Sequence, residues 1–254
     1  MSALSRYPFA EACAGIDADW RDILAPAAER LDPGYLDGLS GRDWLPGPDL
    51  MLAPLRHVPL GSVKAVLFGE SPYPRARSAI GEAFNDGAVG PLWGPGGLAK
   101  PVNRATSLRN IMKMLLLAEG LVSPATTAGE IASLDPAALH LVATMDELFR
   151  RIRQEGILAF NAIPVLTENK NRDARAWHGF MDMFLAGLRA ARPDCRLLLF
   201  GNFAHRLREL PGAAGLPVLA AEHPYNIGFI TDPAVLDWFR PLRLLDRRPL
   251  DAGH

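Results

Sequence analysis

Cysteine is scarce in this chain: Cys13 and Cys195 are the two among 254 residues. Two thiols can build neither a disulfide framework nor a four-thiolate iron–sulfur cluster, so a reducing compartment, the cytoplasm, is expected. Long apolar runs are missing too. None approaches the ~20 residues of a membrane helix, so no membrane partner is expected. The first stretch, "MSALSRYPFAEACAGIDADW", lacks a basic start followed by an apolar core, which argues against a secretory signal. There is no H-E-x-x-H and no paired C-x-x-C, so neither a metal nor any other cofactor is expected. Charge of one sign is also lacking, with a net charge of −1. The overall balance therefore does not announce a nucleic-acid partner.

What is present is an ordinary globular composition, 49% hydrophobic and 22% charged. Four short apolar runs read as buried parallel strands: "VKAVLF" (63–68), "ILAFN" (157–161), "CRLLLF" (195–200) and "PVLAA" (217–221). Helical patterns alternate with them: "SLRNIMKMLLLAEG", "TMDELFRRIRQEG", "WHGFMDMFLAGLRAA" and "FAHRLREL". This alternation predicts an α/β fold, a three-layer α/β/α sandwich around a four-stranded parallel sheet. The expected organisation is an N-terminal helical extension (1–60) packed on the core, the α/β/α domain (61–245) and a C-terminal tail (246–254). Each strand runs into a polar or glycine-bearing loop: "GESPYP", "NAIPVLTENKN", "GNFAH" and "EHPYNIGF". Ligands of open α/β sheets bind beyond the strands' carboxyl ends, so these loops mark the site.

Charge is uneven locally. From Arg75 to Lys113 six basic residues (Arg75, Arg77, Lys100, Arg104, Arg109, Lys113) stand against Glu82 and Asp86, and "ENKNRDARAW" adds Lys170, Arg172 and Arg175. Each run alone reads as a solvated face; folded onto one surface they would bind phosphates.

Six strings in order carry a family resemblance: "GESPY", "AF" at Ala83-Phe84, "TSLRNI" (106–111), "FNAIPVLTE" (160–168), "WHGFMD" (177–182) and "EHPYN" (222–226). Over roughly residues 61–240 the chain resembles the uracil-DNA glycosylase superfamily. The resemblance implies a glycosylase of base excision repair that hydrolyses the N-glycosidic bond of a flipped uracil, or a related damaged base, in DNA. It implies Glu70 and Ser71 in the water-activating loop and His223 stabilising the leaving base. Tyr73, Phe84 and Asn161 would hold that base, Tyr73 by excluding the methyl of thymine. Ser107, Arg75, Arg104, Lys170, Asn226 and Ile227 would meet the DNA, with Ile227 or Phe229 as the wedge. A monomer is expected. The chemistry fits the residue types. A flipped base needs a π-face, an amide for its edge and a donor for growing negative charge.

Each residue also has a plainer reading. Phe84 can be core, Asn161 and His223 structural, Tyr73 a packed ring with a wet hydroxyl, and Ser107 the N-cap of its helix. The chain departs from the best-studied members, which carry Gln-Asp where Glu70-Ser71 stands. The Glu-then-small pair resembles the iron–sulfur branch, Gly-Glu-Ala-Pro-Gly, whose cluster two cysteines cannot hold. The histidine loop lacks the Ser-Pro-Leu-Ser run. Two alternatives follow: an impaired homologue that binds DNA or flipped nucleotides without cleavage, and a serine hydrolase with "GES" as nucleophile elbow. The second is disfavoured, because Pro72 biases Ser71 away from the helical region and Tyr73 replaces the second glycine.

Overall fold

The computed structural model describes residues 3–124 and 128–247; the expected tail falls outside them from residue 248 onward. All four apolar runs are strands: β1 (Ala65–Gly69), β2 (Ile157–Asn161), β3 (Arg196–Phe200) and β4 (Val218–Ala221), in the order β2-β1-β3-β4. β1 pairs in parallel with β2, Ala65 facing Ile157 and Gly69 facing Asn161, and in parallel with β3 on its other edge. Every residue of β1 and β2 is buried, which is why their sequences are unbroken apolar runs and do not alternate. The main helices are α1 (Ala18–Ala28), α2 (Thr106–Ala118), α3 (Met145–Gln154), α4 (Lys170–Ala191) and α5 (Pro233–Phe239). The fold class is thus α/β, a four-stranded parallel sheet with flanking helices. No helix among the described residues is long and apolar enough to cross a membrane.

The chain groups into two compact units, one from residues up to 88 with 156–220, the other from 89–155 with 221 onward. In the first, Val66 and Phe68 of β1 and Leu158 and Phe160 of β2 share a core with Trp20 and Leu24 of α1 and Phe180 and Phe184 of α4. Phe184 stacks on both Trp20 (centroids 5.9 Å) and Phe160 (5.1 Å). Each such fully buried side chain contributes roughly 1.5–3 kcal/mol, so the N-terminal residues are structural partners of the sheet. A polar network runs through the same unit. Asp173, fully buried, accepts from Tyr35 Oη (2.9 Å), the Thr167 N–H (2.8 Å) and Thr167 Oγ1. Trp177 Nε1 donates to the Tyr35 hydroxyl at 3.2 Å. It ties the segment after β2 to the N-terminal residues.

Two helix starts differ from the sequence reading. α4 begins at Lys170, two turns before "WHGFMD", because Asn169 Oδ1 accepts from the Arg172 N–H at 3.0 Å and caps it. The basic stretch 170–175 is therefore helical. In the second unit the cap position of α2 is Ala105, without a side-chain bond, so Ser107 is not the N-cap but a first-turn residue. α3 has the cap that α2 lacks: Thr144 Oγ1 accepts from the Glu147 N–H at 3.2 Å.

α2 ends in Glu119, whose Oε1 accepts the Leu245 N–H at 2.8 Å and pins the chain near its C-terminus. Burial raises this carboxyl from its ordinary 4.5 to about 7, against the lowering effects of the Leu245 N–H and Arg243. With the folded-state value above the unfolded one, the stabilisation is full below about pH 4.5. It is lost as pH rises towards 7. Glu119→Gln, a neutral isostere that keeps the acceptor, should therefore raise stability at pH 8 by roughly 1–3 kcal/mol and leave it unchanged at pH 4. Urea midpoints at the two pH values check this. An equal change at both would mean that Glu119 does not titrate on unfolding.

Candidate active site

β1 and β2 are neighbours in register, so the two loops leaving them start side by side. Gly69 O accepts from the Ala162 N–H and Glu70 O from the Ile163 N–H, both at 2.9 Å. Gly69 is required here for space. A Cβ at this position would lie 2.6 Å from Asn161 Oδ1 and 2.8 Å from Ala83 Cβ. Three separate segments therefore meet at one point: the start of "GESPY", the Asn161 amide and "AF". Ala83 is held there by its N–H, which donates to Ala159 O at 3.2 Å.

Asn161 is only 4% exposed, yet its side-chain amide makes no hydrogen bond among the described residues. Neither amide atom is among the solvent-sealed polar atoms that lack a partner, so the amide reaches solvent from a buried residue and is open to a ligand. Phe84, half-buried, has φ +62, a left-handed conformation that costs a bulky residue of order 1–3 kcal/mol. Buried, hydrogen-bonded polar residues flank it in the chain. Asn85 Nδ2 donates to Glu82 Oε2 at 2.7 Å, and Asp86 Oδ1 accepts from the Ala88 N–H at 2.9 Å. Burial, with help from Asp86, lifts the Tyr73 phenol to about 12, so it is neutral at any physiological pH. Asn85 was passed over in the sequence, and Glu82 and Asp86 were read only as counter-charges to the basic run. Their signal is a run of polar residues around an aromatic with no apolar period to explain it.

Glu70 is exposed, and its Oε2 lies 2.8 Å from Lys170 Nζ. Lys170 was expected on a DNA phosphate; here its ammonium is paired with Glu70. It is the first residue of α4, where a cation opposes the helix dipole and an anion suits it, so Glu70 complements both. An exposed pair of this kind contributes at most ~1 kcal/mol, so its effect is to orient the carboxylate, not to hold the fold. Ser71 is half-buried beside it, and Arg75 is exposed at the turn beyond.

In the second unit, His223 Nδ1 accepts from the Tyr225 N–H at 3.0 Å. That bond needs a lone pair on Nδ1, so a neutral ring carries its proton on Nε2, the nitrogen that can donate. The Asn110 amide, buried on α2, donates to Pro224 O (2.8 Å) and Tyr225 O (3.3 Å) and steadies this loop. Asn110 was also passed over, although an Asn inside the apolar face of "SLRNIMKML" is a visible signal. Tyr225 and Ile227 are 66% and 82% exposed. With Arg109, Asn110 and Lys113 they border a cavity of about 360 Å³. Asn226 shares this exposed loop, Arg104 ends the short helix Lys100–Arg104, and Ser107 is half-buried. Phe229, the other candidate wedge, is fully buried and cannot enter a base stack without unfolding its surroundings.

A wild-type UNG crystal structure from Nitratifractor salsuginis is 40% identical to this chain, with a TM-score of 0.86 over 92% of this chain and 94% of that one. The chain belongs to the uracil-DNA glycosylase superfamily. A uracil-DNA glycosylase of Chromobacterium violaceum is 28% identical over 225 residues, 85% of this chain and 80% of its own length. The mimivirus uracil-DNA glycosylase, 18% identical with a TM-score of 0.54, shares the fold. No family model matches the chain. Ser71, next to Glu70, carries a hydroxyl, which supplies no anion near neutral pH.

Proposed function

We propose that this superfamily member removes uracil, or a related damaged base, from DNA by hydrolysing the N-glycosidic bond of a flipped nucleotide. The observation that carries the reading is the Asn161 amide, unbonded within the protein and reaching solvent from a buried residue, close to the strained Phe84 and one strand from Glu70. Phe84 stacks on the base. Asn161 donates to O4 and accepts from N3–H, and the neutral Tyr73 ring lies against C5, where thymine would carry a methyl. Glu70 takes a proton from water as the water oxygen bonds to C1′. The C1′–N1 bond breaks and its electrons leave with the base. The proposed role of His223 is to donate from Nε2 to O2 of the departing anion, a preorganised donor worth several kcal/mol in a dry site. Ser107, Arg75, Arg104, Asn226 and Ile227 are assigned to the DNA backbone and the vacated stack. The protein acts as a cytoplasmic monomer.

A gel assay on labelled oligonucleotides containing uracil, hypoxanthine, xanthine or a T·G mismatch tests this. Base release from uracil substrates and none from thymine is expected. Tight binding with no release from any of them would replace it with the binding-only reading.

Lys170 separates two roles cleanly. If it positions Glu70, Lys170→Ala should slow single-turnover release by about tenfold with little change in affinity, and Lys170→Arg should restore most of the rate. If it were only a phosphate contact, the salt-dependence slope would fall by ~0.7–0.9 and the rate on saturated enzyme would stay the same.

A further inference from the structure

The first unit holds a second concave feature that the glycosylase reading does not use. A groove of about 840 Å³ starts at Glu70 and Lys170 and runs along the exposed face of α4, past Arg175 and His178, to Phe203 and Arg206. Its floor is apolar, with Met181, Leu207 and Leu210 buried beneath it. Its walls are cationic: Arg30, Lys170, Arg175 and Arg206 outnumber Glu70 and Glu209. Lys170 is paired, but neither Arg175 nor Arg206 has a carboxylate partner among the described residues. The half-buried Phe203 ring packs against the core, and the Arg206 guanidinium lies 5.0 Å over it, so the ring backs a planar cation at the groove.

Cations without carboxylate partners, one of them a planar guanidinium backed by an aromatic ring, over an apolar floor match one class of ligand: single-stranded nucleic acid, whose phosphates need charge and whose unpaired bases stack on flat groups. We propose that this groove holds the single strand adjoining the damaged nucleotide, with phosphates at Arg175 and an unpaired base on the Arg206 guanidinium that Phe203 backs. This rests on the glycosylase reading, because the groove shares Glu70 with the site proposed to receive the flipped base. It implies that a lesion with a single-stranded flank is bound more tightly than one in continuous duplex.

The test is fluorescence anisotropy with DNA carrying 2′-fluorinated deoxyuridine, whose glycosidic bond resists cleavage. Three probes are used: a trinucleotide, the same site in a long single strand, and that strand in duplex. Phe203→Leu, which keeps the packing but removes the ring, should weaken binding of the long single strand roughly tenfold or more and leave the trinucleotide unchanged. The Arg175→Ala/Arg206→Ala pair should lower the salt-dependence slope on the single strand by about 1.4, ~0.7 for each lost cation. Equal losses on all three probes, or none on the long strand, would overturn the groove assignment. Thermal melts of each variant exclude misfolding. Binding is read without base release. A wild-type protein that binds as expected but never releases uracil from a cleavable substrate would refute the glycosylase reading and not the groove.

Discussion

Glu70→Gln is expected to slow single-turnover uracil release by roughly 10²–10⁴-fold, the usual contribution of a positioned general base. Gln keeps the size and the hydrogen-bonding reach towards Lys170 but removes the only carboxylate in "GESPY" that can take a proton from water. Single-turnover rates are the right measure, because product affinity hides the chemical step at steady state. Ser71 sharpens the prediction. Ser71→Asp would place an anion in the proposed water-activating loop, beside the cation that forms on the sugar in the proposed reaction. With Glu70 present, two carboxylates would be adjacent and one would resist ionisation, although Lys170 at 2.8 Å from Glu70 offsets part of that repulsion. Ser71→Asp should therefore speed release, and the Glu70→Gln/Ser71→Asp double variant should recover much of what Glu70→Gln loses. Wild-type rates in Glu70→Gln together with a collapse in Ser71→Ala would reverse the two roles.

Gly69→Ala should cost about as much in rate, through geometry alone. The φ of Gly69 is open to any residue, so the effect comes only from the new methyl, 2.6 Å from Asn161 Oδ1 and 2.8 Å from Ala83 Cβ. Both neighbours must move. A misplacement of ~1 Å in a reacting geometry costs on the order of 10²-fold. The overpacking itself should destabilise by roughly 1–3 kcal/mol. Gly61→Ala is the control, since nothing lies within 4 Å of a Cβ there. If Gly69→Ala folds and releases uracil at the wild-type rate, the position of Asn161 is irrelevant to the reaction and the base-reading role fails.

Sequence alone determined which segments are strands and where chemistry leaves them. A strand covered on both faces must be apolar throughout, so "AVLFG" and "ILAFN" announce themselves, and the polar loops after them follow from that placement. Positions 70, 84, 161 and 223 were singled out as candidates by the order of their motifs along the chain, which resembles a family pattern. Tertiary structure decided what touches what. Gly69 and Asn161 meet because the strand 92 positions later in the chain lies beside β1 in parallel register, and no local pattern encodes which strand becomes the neighbour. The left-handed Phe84 is invisible in a propensity reading, which would never choose that conformation for an aromatic. The charge at Lys170 looked like one more cation in a basic run. Its pairing with Glu70 arose only when Asn169 capped α4 two turns early and set the ammonium against the loop after β1. Burial and period are local properties that a sequence displays directly, whereas register, strain and charge pairing depend on distances that exist only once the chain has closed on itself.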